Sequence, residues 1–271
     1  MILVVAIAAS LLSRRADHAR RLRAFPCQMA RFERELESSL AKASNDTERR
    51  SISDRYRSRK RVLIEEAIDL SLIRPRDPAS FEVLALIATS ADDIPDLRDR
   101  ALDATIRTQI RNPAIVALCA QLARLGRTFE PADDLLRRAI RDNPTREVRG
   151  RALLSLGQRK LEHARVLRFI RQNPAAEKKL ASSIGGGIQY ILKPDPDDLE
   201  QEAENLFEQV INGYQDVLDY QKIARKAIFE LTRLSVGKPA PEIEGRDSYG
   251  RTISLSSFRG KLVVVIFSGL T

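Results

Sequence analysis

The sequence predicts a mainly α protein: an irregular helical array followed by a short β-hairpin and one apolar strand. Three observations predict it. From about Arg14 to Leu234, apolar residues recur at spacings of three and four, the period of a helix with one buried face. A start signal, a capping side chain followed by proline, returns at Asp77-Pro78, Asn112-Pro113 and Asn143-Pro144, at intervals of roughly 30 to 35 residues. Aromatic residues make up only 5% of the chain and tryptophan is absent, which favours helix packing over a β-sandwich.

The elements follow in order. Ile2 to Leu12 is apolar and is followed by Arg14-Arg15. It is shorter than the roughly 20 residues needed to span a bilayer, and no basic stretch precedes it as in a secretory signal. It reads as the first turns of a helix or the remnant of a signal or anchor, with membrane association and a cell-envelope or periplasmic origin as the expectation. Leu22, Phe25, Met29, Phe32, Leu36 and Leu40 then form an amphipathic stripe, and Ser44-Asn45-Asp46 ends it. A second helix is expected from about Thr47 to Leu72, before Pro75, with Asp46 as its N-cap. Each Asp/Asn-Pro signal leads into an apolar-periodic run, with second helices around Leu97 to Arg111 and Ala132 to Arg141, and Asn173-Pro174 as a fourth mark. The spacing is that of helix-turn-helix units in an α-solenoid of tetratricopeptide type, although no named repeat consensus is matched. Such units bury a face only against neighbours, so they form one cooperative body. Ser182 to Gly187 breaks the pattern. Its three glycines lack the preceding strand and the Lys-Ser/Thr pair of a phosphate-binding loop, and read as a flexible connection. Pro194 to Asp198 opens another helix with acids in its first turn, where the helix dipole favours them. A last helix covers about Tyr220 to Leu234.

The final stretch reads Val236-Gly237-Lys238-Pro239-Ala240-Pro241, then Asp247-Ser248-Tyr249-Gly250, then Leu255-Ser256-Ser257-Phe258-Arg259-Gly260-Lys261, then the apolar run Leu262 to Phe267. The prolines hold the backbone extended. The Asp247–Gly250 turn lies between Ile243 and Ile253-Leu255, which predicts a hairpin. Ser256 is expected to cap one helical turn that Gly260 ends. Leu262 to Phe267 has the continuous β-branched character of a strand buried on both faces. This order resembles the opening of the redoxin superfamily, the thioredoxin-like proteins that include alkyl hydroperoxide reductase and thiol-specific antioxidant enzymes. The Glu-Ala-Glu run from Glu202 resembles helical regions that precede some redoxin domains. The resemblance implies three segments: an apolar stretch at 1–13, a helical-repeat domain at 14–234, and at 236–271 the start of a thioredoxin-like α/β fold. It also implies thiol-disulfide oxidoreductase ancestry. Counted on from Phe267, the family's first catalytic cysteine falls one residue after Thr271. The expected chain is therefore a truncated redoxin that is inactive by itself. The alternative is a non-enzymatic helical scaffold that binds a protein partner.

No residue is assigned a catalytic, cofactor-binding or metal-binding role. Cys27 and Cys119 are the two cysteines and form no Cys-x-x-Cys pair, whereas thiol exchange wants two neighbouring thiols. Cys119 lies in an apolar helical run and reads as a buried, inert thiol. His18 and His163 lie in helical segments without metal-ligand spacing. Ser268 has no paired base. The net charge of +9 suits an anionic partner, but Arg alternates with Asp and Glu along the helices, and no nucleic-acid motif supports that reading. The apolar run Leu262 to Phe267 is expected to dock on the terminal helices or to drive self-association.

Overall fold

Helix dominates because the apolar spacing is honoured and the caps are in place. The computed structural model describes residues 2–125, 129–173, 175–178, 188–234 and 238–266. Its helices are α1 (Ile2–Ala41), α2 (Asp46–Ile73), α3 (Pro78–Ser90), α4 (Pro95–Gln109), α5 (Ile115–Arg124), α6 (Glu130–Asp142), α7 (Arg146–Gln172), α8 (Ile188–Leu192), α9 (Pro196–Gly213) and α10 (Leu218–Phe229). A π-helical turn, Glu230–Leu234, follows α10. Among the described residues the sheet has two antiparallel strands, β1 (Glu244–Arg246) and β2 (Thr252–Ser254). The chain forms two compact units, Met1–Ala224 and Arg225–Thr271.

In the first unit the caps show how sequence sets the boundaries. α1 runs unbroken through the apolar segment and through Pro26, with Leu22, Phe25 and Met29 buried on its inner side. The cap of α2 is Asn45 rather than Asp46. Asn45 Oδ1 accepts from the Glu48 amide at 2.9 Å, and Glu48 Oε2 accepts in return from the Ser44 amide at 2.8 Å. Asn45 is extended and lies one residue ahead of the first helical turn, so its amide oxygen reaches the free amides there. Asp77 caps α3 as its sequence predicts, and Asp195 caps α9, each with proline at the first helical position. Asn112 and Asn143 behave differently. Asn112 Oδ1 accepts from the Ala114 amide at 2.9 Å, but the residues after it turn once before α5 starts at Ile115. Asn143 Nδ2 donates to the carbonyls of Ile110 (2.7 Å) and Asn112 (3.2 Å), tying the end of α6 to the turn before α5. One layer earlier the Gln109 amide donates to the Pro75 carbonyl in the same way.

α1 packs on α2 and α3, and α3 on α4. α7 is flanked by α5, α6 and α9. One core cluster joins α1 to α4 through Phe25, Ile64, Ile68, Leu84 and Ile87, all at 2% exposure or less. Around α7, Leu154, Leu136, Leu122 and Phe207 are fully buried. Burying such a side chain stabilises by about 1.5–3 kcal/mol. α7 meets α9 closely where Gly157 leaves room for the Phe207 ring: a Cβ there would stand 2.8 Å from Phe207 Cε1.

In the second unit, β1 and β2 pair in the register Glu244↔Ser254, Gly245↔Ile253 and Arg246↔Thr252. Asp247 Oδ1 accepts from the amides of Tyr249 and Arg251, both at 2.9 Å, and Gly250 supplies the positive φ of 79° that closes the turn. A 3₁₀ turn, Leu255–Phe258, follows, with Ser254 rather than Ser256 at its cap position. Ser256 instead donates its amide to Glu242 Oε1 at 2.9 Å. Gly260, at φ 82°, ends the turn. The strand expected at Leu262 to Phe267 is not formed over Leu262–Ile266, which carries no regular structure and is exposed throughout. A strand buried on both faces needs ladder partners and covering layers, and among the described residues none pairs with it. Phe267, like Ser268 and the Ser182–Gly187 stretch, lies outside the described residues.

Candidate functional site

The sequence-singled thiols and imidazoles lie on separate helices. Cys27 is exposed on α1, and Cys119 is buried on α5, its thiol pushed up to about 12 by burial. A thiol held in that state is a poor nucleophile. His18, on α1, is buried, and burial followed by the Arg74 charge lowers its pKa. His163, on α7, is also buried, and its Nε2 lies 2.8 Å from the Ile191 carbonyl. A carbonyl only accepts, so Nε2 carries the hydrogen and Nδ1 is left an acceptor with no partner. Among the described residues, no group of three His, Cys, Asp or Glu side chains could hold a metal ion.

Next to His163 lies a charged cluster that the sequence pattern does not announce. Asp133, on the inner face of α6, is 1% exposed. Its Oδ1 accepts from Arg159 Nε at 2.7 Å, and its Oδ2 accepts from the Tyr190 hydroxyl at 2.7 Å. Lys160 Nζ stands 3.3 Å from Asp133 Oδ2 and 3.1 Å from Glu202 Oε2, and Arg137 pairs with Glu202 at 3.2 Å. Arg159 also donates to the carbonyls of Leu122 (3.0 Å) and Phe129 (3.3 Å), so it satisfies a carbonyl in the last turn of α5. The guanidinium groups of Arg98, at 3.9 Å, and Arg159, at 4.9 Å, both lie over the Phe129 ring.

The electrostatics are settled by pairing. Burial pushes the Asp133 carboxyl up, but the charges of Arg159 and Lys160 and the two hydrogen bonds outweigh it, and the group titrates below the usual carboxylate range. Burial, then the Asp133 charge, pushes the Tyr190 phenol upward. Both oxygens of Asp133 are taken, so it has no open position from which to act as a base on a bound molecule. What the arrangement does is join α5, α6, α7, α8 and α9 at one buried point. No family model, no curated protein and no solved structure matches this chain.

Proposed function

We infer that the chain is a redoxin-superfamily member that performs no thiol-disulfide exchange by itself. The observation that carries the reading is the order of the C-terminal elements. A hairpin closed at Asp247–Gly250 leads into a 3₁₀ turn ended at Gly260, then into an extended, exposed apolar run at Leu262–Ile266. That is the order in which a thioredoxin-like fold begins. The separation of an exposed Cys27 from a buried Cys119 supports the absence of activity. Two measurements test it. The nucleotide sequence after the Thr271 codon is expected to encode Trp-Cys-x-x-Cys in some frame; its absence from all three frames removes the family reading. The purified chain is expected not to accelerate the reduction of insulin disulfides by dithiothreitol, and reduction above the reagent background overturns the inactivity.

A second reading is a non-enzymatic α-solenoid scaffold that holds a protein partner. It is favoured by the repeated turn lock, in which the Gln109 amide reaches back 34 residues to Pro75 and the Asn143 amide 33 residues to Ile110. Offsets that differ by a single residue suit stacked units of nearly one length.

A further inference from the structure

The outer face of α1 carries arginines that the core does not use. Arg20, Arg23, Cys27, Arg31, Arg34 and Ser38 follow one another at spacings of three or four, and all are exposed. That spacing puts them on one side of the helix, while Leu22, Phe25, Met29 and Phe32 fill the other. Arg20 pairs with Asp17 and Arg31 with Glu35, but Arg23 and Arg34 have no ion pair among the described residues. Across a groove lined by Arg31, Arg34, Ser38, Ser39, Tyr56 and the Glu35 that pairs with Arg31, α2 adds Arg55 and Arg59, the latter stacked 5.6 Å from the rings of Phe32 and Tyr56. Between Arg14 and Arg76 there are 17 basic and 10 acidic residues, so +7 of the net +9 sits in α1, α2 and the residues just after each. The spacing of the row continues in the sequence through Ala16, Leu12, Ala9, Val5 and Ile2, where arginine gives way to apolar residues.

We propose that α1, flanked by the basic edge of α2, lies on an anionic phospholipid bilayer. The apolar stretch enters the interface and the arginines engage headgroup phosphates. A nucleic acid would meet the arginines but offer nothing to the apolar half of the same row. A bilayer surface receives both. Ile2 to Leu12 extends about 16 Å as helix, about half the roughly 30 Å hydrocarbon core, a length that suits a stretch lying in the surface. Arginine stems can lie along the apolar boundary with their guanidinium groups among the phosphates.

Cys27 sits within the row and Cys119 is buried, so an environment-sensitive dye on Cys27 of the full chain reports docking. Vesicles containing about 30% phosphatidylglycerol are expected to shift its emission to the blue and to carry unlabelled chain upward in flotation, with both effects weakening as salt rises. Pure phosphatidylcholine vesicles should do neither. Arg23→Gln with Arg34→Gln breaks no ion pair. At about fivefold per arginine, it should lower the vesicle partition coefficient about 25-fold while the helical circular dichroism stays unchanged. Leu12→Asn should weaken partition and leave its salt dependence intact. Equal binding to neutral vesicles overturns the proposal. So does indifference to the arginine pair, or displacement of the chain from vesicles by duplex DNA or RNA at equal phosphate concentration.

Discussion

In Met1–Ala224, Ile64, Ile68, Leu84 and Phe207 have no solvent exposure, whereas in Arg225–Thr271 Leu262 is 97% exposed and Val264 and Ile266 stand nearly as bare. Both units have aliphatic residues to bury; they differ in what burial requires. A helix satisfies its own backbone and needs only a neighbour for its apolar stripe. A strand needs a partner for its amides as well as a cover for its side chains. In the described part of the second unit only Leu231 is buried. A segment of that size seldom builds a core of its own.

The largest effect that would break this contrast lies in the buried cluster of the first unit. Asp133→Asn leaves Arg159 and Lys160 without their shared anion at a site nearly closed to solvent. Removing one partner of such a group costs about 3–5 kcal/mol. Urea denaturation followed by circular dichroism is expected to show a loss of that order. A loss below about 1 kcal/mol would mean that the cluster does not hold the five helices together.

A smaller effect compares two glycines. At Gly157 an added Cβ meets the Phe207 ring at 2.8 Å, and the ring is wholly buried. Overpacking costs about 1–3 kcal/mol, and alanine returns about 1 kcal/mol of helix propensity. Gly157→Ala is therefore expected to destabilise by up to about 2 kcal/mol. Gly245→Ala, with no atom within 4 Å, should stay within about 0.5 kcal/mol. If the two variants behave alike, the close approach of α7 and α9 is not a constraint.

Acid sharpens the contrast further, since both histidines belong to the first unit. Burial lowers the pKa of each from the ordinary 6.5, for His163 against the opposing pull of the Ile191 carbonyl and Asp133. The folded chain thus keeps them neutral where the unfolded chain takes up protons. Their contribution is complete above about pH 6.5 and is lost as pH falls from there through the lowered folded values. The urea midpoint at pH 5 is expected to lie below that at pH 7.5, and His163→Gln should narrow the gap. An unchanged gap in the variant would assign the acid sensitivity elsewhere.

These features differ in how legible they are in the sequence. The Asp77 and Asp195 caps, the breaks between helices and the Asp247–Gly250 turn are local, and a few residues determine each. The Asn45 cap is less legible because Asp46 beside it caps equally well in principle, and the backbone conformation decides between them. The cluster at Asp133 takes side chains from four helices and a carbonyl from a fifth, so only packing brings it together. Its one local trace is an acid set among Ala132, Leu135 and Leu136 on the buried face of α6. The apolar run after Gly260 has the β-branched composition of a strand, but whether a strand forms depends on partners that no local pattern encodes, and over Leu262–Ile266 none forms.

That run gives the last and smallest effect on folding. Along Leu262–Ile266 the exposure alternates: Leu262, Val264 and Ile266 are more open than Val263 and Val265. This is the period of an extended backbone, with one row of aliphatic side chains facing solvent. Such a row, beside amides that pair with no strand among the described residues, is a template for another chain. We propose that it drives self-association. Charging the row should block pairing without touching the helical core, because lysine on an edge repels a second copy of itself. Leu262→Lys with Val264→Lys is expected to leave the urea midpoint within about 0.5 kcal/mol of the parent and to lower the mass measured by light scattering to that of one chain. If the parent already scatters as a single chain at high concentration, the exposed row is not sticky, and the contrast between the units is one of burial alone.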